Sequence, residues 1–339
     1  MKKLICLMAI CVLATGANAQ NHNHHQHHKM AKLPDDVAPA GIGGDHSHLK
    51  GSLMASYSYG RMEMSGIRHG TNDISRSEAL SSFMMAPKEM NMEMHMLGFM
   101  YGVSDEFTIM AMAPYVRKSM TMVNRMGMDV TSKTQGLGDF KLSSVYNIYD
   151  SNEGMGGHSH RSKHKVIANF GVNLPTGSIS QRNGAGMKLG YPMQLGSGTF
   201  DPTFGISYQN KNDNWSWGAK ADAVIRLGKN NDGYRLGNEY VATSWASRNI
   251  TDKIGVSARI EGKSWGNIHG ADRELNRMIS PSNRADMRGG ERADIFVGVN
   301  SVILGKRFVV EFGQPVYQDL EGIQGKTDYT LKASFKMSF

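Results

Sequence analysis

Outside its opening stretch, MKKLICLMAICVLATGANAQ, the chain contains no cysteine, since Cys6 and Cys11 both fall within it. Disulfides and thiolate metal sites are therefore excluded from everything that follows. Long apolar runs are missing as well. Beyond residue 20 none approaches the roughly 20 residues that a membrane helix needs, and no stretch sustains a helical period. Charge of one sign is nowhere concentrated: 38 Lys and Arg stand against 30 Asp and Glu, scattered along the chain. This gives no case for nucleic acid as a partner.

What is present begins with a secretory signature. Lys2 and Lys3 precede an apolar run, and Ala17 and Ala19 form an A-x-A cleavage pattern, which predicts a signal peptide over residues 1–19. Residues 20–50 follow as a low-complexity tract without a core face, expected to be a flexible periplasmic tail. It holds His22, His24, His25, His27 and His28, with His46 and His48 near its end. Neutral imidazoles in such tracts bind Cu(II) or Zn(II), though with little selectivity.

From residue 51 to 339 the sequence reads as segments of alternating polarity separated by Gly, Asn, Asp and Ser. The segments are 51–64, 88–102, 106–122, 137–150, 164–174, 199–210, 214–228, 234–247, 252–264, 292–304, 306–316 and 327–339. The links after the second, sixth, eighth and tenth are tight; those after the first, third, fifth, ninth and eleventh are long. An even strand number with alternating short and long links is the pattern of a transmembrane antiparallel β-barrel, so the fold expected is all-β with about 12 strands. One short-side link, residues 151–163, is long instead and brings His158 and His160 close to His164. These join the tail histidines as periplasmic metal candidates.

The chain ends YTLKASFKMSF, with Tyr329, Leu331, Ala333, Phe335, Met337 and Phe339 on one face. That face is expected to meet lipid, and Thr330, Lys332, Ser334 and Lys336 the lumen. Such an ending resembles the signal read by the barrel assembly machinery. The expected setting is the outer membrane of a Gram-negative bacterium, both termini periplasmic, with membrane lipid as a partner.

Methionine is the unusual component. In KEMNMEMHMLGFMYG, residues 88–102, it recurs with a period of two. Leu97, Phe99 and Tyr101 mark the lipid face, so Met90, Met92, Met94, Met96 and Met100 are expected to face the lumen. The same rule turns Met62, Met64, Met110, Met112, Met120 and Met122 inward, most of them near the external mouth. Thioether is an adaptable apolar filler and also a soft neutral donor suited to Cu(I) or Ag(I).

Three pieces carry a family likeness: Gly136-Leu137-Gly138-Asp139-Phe140-Lys141-Leu142, Leu174-Pro175-Thr176-Gly177, and Leu195-Gly196-Ser197-Gly198-Thr199-Phe200-Asp201-Pro202. Their order and spacing resemble the outer-membrane barrel family named for the meta-cleavage pathway of phenol degradation. The resemblance implies a barrel transporter for small, often apolar or aromatic molecules, and it carries over no catalytic residues; no cofactor is expected to be required. The methionine density and the histidine tail depart from that pattern. Two functions therefore stand side by side: a small-molecule transporter or channel with a methionine-rich lumen, and a copper- or silver-binding barrel serving metal uptake or tolerance. His95 and Asn91 share a lipid-side face but have no nucleophile motif beside them, so an enzyme is not expected.

Overall fold

The computed structural model describes residues 38–151, 163–212 and 214–339. In chain order its elements are β1 (Leu53–Gly70), β2 (Asn72–Ile74), α1 (Arg76–Ser82), β3 (Met85–Gly102), β4 (Phe107–Asn124), β5 (Asp129–Leu137), β6 (Phe140–Asp150) and β7 (Lys163–Leu174). They continue with β8 (Asp201–Lys211), β9 (Trp215–Val224), β10 (Tyr234–Arg235), β11 (Glu239–Asn249), β12 (Ile254–Trp265), β13 (His269–Gly270), β14 (Gly290–Ile303) and β15 (Lys306–Ser338). Among the described residues no helix is long and apolar enough to cross a membrane.

Eleven of these strands form a closed ring in which each runs antiparallel to the next, and β15 returns to β1 through pairs such as Tyr57 with Phe335 and Met62 with Thr330. A ring of antiparallel neighbours needs an even number of passes, and β15 supplies the extra one. Its first arm runs against β14, with Ile303 opposite Lys306 and Gly290 opposite Leu320, while its second runs against β1. The reversal falls at Gly322, whose φ of 81° suits glycine. Gln318 straddles the two arms: its amide nitrogen donates to Thr327 O at 2.9 Å, and its oxygen accepts from Thr327 N–H at 3.0 Å. The wall therefore has twelve passes.

The ring is inside out for a protein in water. Phe99, Ile109, Phe170, Ile206, Trp217, Ile260, Val297 and Phe312 are exposed, whereas Thr108, Ser207, Ser247, Arg259, Asp294, Asn300 and Glu311 are buried. An apolar belt this continuous needs an apolar solvent around it, and the polar interior supplies the partners for buried charge. Arg259 meets Glu311 at 3.1 Å and also pairs with Glu261, and Arg292 meets Asp294 at 2.9 Å.

Two links depart from expectation. The stretch after the third segment is no loop: β4 runs to Asn124, turns, and returns as β5, paired to β4 from Asp129 to Leu137. The stretch after the eleventh segment is the tight reversal of β15 rather than a long loop. Both changes lie on the side of the ring built by β1, β3 and β4, which are 18 residues long against 11 for β6 and β8. Seven extra residues raise this side by roughly 20 Å along the strand.

The last part of the expected tail is ordered. From Ala38 the chain lies inside the ring, near the end that carries the tight turns. Gly41 N–H donates to Glu311 Oε2 at 2.6 Å, Lys220 Nζ to Gly43 O at 2.7 Å, and Asn169 Nδ2 to Gly44 O at 3.1 Å. Ala38 and Ile42 pack on Trp245. The glycines of this plug answer to space and conformation. A Cβ on Gly41 would stand 2.4 Å from the Arg259 guanidinium, and Gly44 has a φ of 64°. Residues 38–48 of the expected flexible tail, residues 20–50, are ordered as this plug, and its earlier part lies outside the described residues.

Candidate functional site

Register places the methionines. Across β1, β3 and β4 the directly opposed triplets are Met54–Met100–Met110, Ser56–Gly98–Met112, Ser58–Met96–Pro114, Gly60–Met94–Val116, Met62–Met92–Lys118 and Met64–Met90–Met120. Opposed residues share a face. This face is opposite the exposed Leu97, Phe99, Tyr101 and Ile109, so it is the inner one. Every row contains at least one thioether, and most companions are small. The rows climb ten residues of β1, roughly 33 Å of wall. Met54, Met100 and Met110 pack with Val145 and Ile167 near the tight-turn end. At the other end Met120 and Met122 pack with Met193 and Leu189, joined by Met85 and Met90. Met126 and Met128 lie on the exposed β4–β5 turn.

The opposite end of the ring is covered by the long links 175–200, 225–238 and 266–289, tied by the β10–β13 pair. Tyr191, Tyr234, Ile268, Leu275 and Ala285 form the core of this cap. Lys188 Nζ sits between Asp232 at 2.7 Å and Asp272 at 2.5 Å. Burial lowers the pKa of this ammonium, but the two carboxylates outweigh it, and the net direction is up. Lys118 of the inner wall donates to the carbonyls of Pro192 and Gln194, and Thr134 to Met193 O at 3.0 Å.

The three motifs that carry the family likeness meet at the root of this cap. Asp139 accepts from Gly177 N–H at 2.9 Å and from Ser197 N–H at 2.7 Å. Thr176 Oγ1 donates to Gly138 O and accepts from Phe140 N–H, each at 2.9 Å. Asp201 accepts from Ser197 Oγ, Thr199 Oγ1 and Arg226. Their chemistry is that of a clasp that folds the 175–200 link back over the lumen.

Among the described residues the histidines do not assemble into one site. His22, His24, His25, His27, His28, His158 and His160 lie outside the described residues. His46 and His48 belong to the plug, their rings 4.8 Å apart, with His46 Nδ1 3.0 Å from Asp45. Burial, helped by His46, holds the His48 pKa down at about 4. Burial pushes the Asp45 carboxyl up, yet Lys336, His46 and Arg307 together hold it well below the usual range. His164 sits apart, 2.7 Å from Tyr208 Oη in a collar that continues to Trp217. His95 is in a similar collar, its Nδ1 2.7 Å from Tyr57 Oη, with the Tyr59 ring beside it. Among the described residues no three His, Asp or Glu side chains converge as a metal site.

Sequence reasoning missed Met193, Asp45, the Arg259–Glu311 pair that holds the plug, and the role of Asp139. A carboxylate inside a Gly-rich turn, as in Gly138-Asp139, was the available signal for the last.

An apolar depression of about 880 Å³ lies between Phe204, Ile206, Tyr240 and Tyr317. These side chains are exposed on the outer wall, so it belongs to the lipid side and not to the lumen.

Comparison with solved structures gives the COG4313 outer membrane channel from Pseudomonas putida F1, at 14% identity and a TM-score of 0.59, covering 88% of this chain and 99% of that one. The transport unit of the autotransporter AIDA-I from Escherichia coli follows at 11% identity and a TM-score of 0.43, covering 85% and 90%. The first of these likenesses supports the fold. Among curated proteins no relative matches by sequence. A family model does match, over residues 76–282, and the clasp motifs lie inside that span. The chain belongs to the family described as "Putative MetA-pathway of phenol degradation".

Proposed function

We propose that this barrel is an outer-membrane channel for small, neutral, largely apolar molecules, which move along the thioether column of β1, β3 and β4. The observation that carries the reading is the continuity of that column: six successive rows with a methionine in each, in a lumen whose other walls are charged. Thioethers are polarisable and conformationally soft, so they accommodate varied apolar shapes without a fixed pocket. The small companions Ser56, Ser58, Gly60 and Gly98 leave room beside them. The family's description in terms of phenol degradation supports this substrate class, and the Pseudomonas putida relative is itself an outer membrane channel. In this reading the tight-turn end and both termini face the periplasm, and the last strand is what the assembly machinery recognises. His95 and His164 are polar anchors in the outer collar rather than acid–base groups.

The test is passage of a neutral phenol into proteoliposomes carrying the full chain. Met94→Lys with Met96→Lys puts two ammonium groups into the column and is expected to cut the rate severalfold while the barrel still resists unfolding in cold detergent. Unchanged phenol passage in a folded double variant would rule the column out as the route.

A further inference from the structure

The upper end of the column differs from the rest in being closed over. Met120 and Met122 of β4 are buried there beneath Met193, which is fully buried, and Met85 and Met90 of β3 complete the group. Five of the six apolar side chains in this cluster are methionines, the sixth being Leu189. They come from three separate segments: two neighbouring strands, and the 3-10 turn Tyr191–Met193 of the cap. That turn is fixed from both sides by the side chains of Lys118 and Thr134, which donate to the carbonyls of Pro192, Gln194 and Met193. Met122 Sδ accepts a hydrogen bond from Ser280 Oγ at 3.4 Å, so a sulfur lone pair is directed at a polar partner rather than only filling space. The same hydroxyl lies 2.9 Å from Ser282 Oγ and can turn to it if the sulfur finds another acceptor of its lone pair.

We propose that Met90, Met120, Met122 and Met193 form a binding site for a soft monovalent cation, Cu(I) or Ag(I). Three or four thioethers make an uncharged, polarisable donor set that suits these ions and holds Zn(II) or Mg(II) poorly. Burial sharpens the selection by charge. The cost of desolvating an ion rises with the square of its charge, and neutral sulfur ligands offer no compensating anion, so a divalent ion is disfavoured more steeply. The neighbouring Lys118 ammonium acts in the same direction. Thioethers carry no proton at ordinary pH, so binding here releases none and persists in mild acid, unlike binding by imidazoles. The site stands whether or not apolar molecules use the column below it.

The test uses the full chain in detergent micelles and silver ion as the probe, at pH 5, which lies below the ordinary pKa of a free imidazole. One equivalent of Ag(I) is expected, with sulfur neighbours only in its X-ray absorption spectrum. Met120→Leu with Met193→Leu is expected to weaken it at least tenfold, and Met126→Leu with Met128→Leu on the exposed turn to leave it unchanged. Leucine keeps the cluster apolar, and heat-modifiable gel migration checks that the barrel is closed. Met122→Leu alone serves if the double variant does not fold. Nitrogen or oxygen neighbours in the wild-type spectrum, no stoichiometric binding at pH 5, or equal affinity in a folded cluster variant would each overturn the assignment.

Discussion

His48 shows how one residue can set the grip of the plug. Its backbone N–H donates to Thr108 Oγ1 at 2.8 Å, while its ring faces His46, Asp45 and Lys336. Burial favours the neutral imidazole, and the pKa of the plugged state falls from 6.5 to about 4. A base held below its free value stabilises the bound form above the free pKa, and that contribution fades as pH falls from about 6.5 towards 4. Asp45, held low by its cations, stays ionised through this window. Acid is therefore expected to loosen residues 38–48 from the lumen. Trp245, which packs on Ala38 and Ile42, reports it: its quenching by aqueous acrylamide should rise as pH drops through that window, and much less so in His48→Asn. Quenching that is flat with pH in the wild type would leave the histidine without this role.

At the scale of the element, what the sequence reveals and what it hides have physical causes. A strand with lipid on one side and polar lumen on the other must alternate, so β3, β9 and β12 are readable from residue types alone, faces included. The alternation fails where neither face meets lipid. β5, with Thr131, Ser132, Lys133, Thr134 and Gln135, stands above the belt and pairs on one edge with β4, so its polarity resembles a loop. The plug has no period because its backbone, not its side chains, makes the bonds to Glu311, Lys220 and Asn169. The family motifs were legible as words but not as a joint. Asp139 is where their contacts meet, and Asp139→Ala leaves the N–H groups of Gly177 and Ser197 without this acceptor. Loss of a charge-assisted pair costs about 2–3 kcal/mol locally. The expected outcome is protease cleavage within residues 175–200 in a barrel that remains closed on a cold gel; an equally resistant link would show that the cap is held by Lys118 and its own core instead.

Taken as a whole molecule, the column lies between two closures that share no residues. The plug is anchored on β7, β9 and β15 near the tight turns, and the cap on β4 and on Asp139, just before β6, at the far end. Obstructions in series set a flow by the larger of the two, so opening either alone should change it little. Sites this far apart without shared partners ordinarily give additive free energies, which makes any excess in a double variant a property of the path and not of coupling through the fold. Gly41→Ala drives a Cβ into the Arg259 guanidinium and so displaces the plug, and Asp139→Ala releases the root of the cap. In planar bilayers each single variant is expected to keep a conductance close to that of the wild type, while the pair together rises well beyond the product of the two single effects. If Gly41→Ala alone gives the full increase, the cap already passes ions and the plug is the only gate. If the double variant stays closed, the lumen between them is filled by its own side chains, and the thioether column is packing rather than a passage.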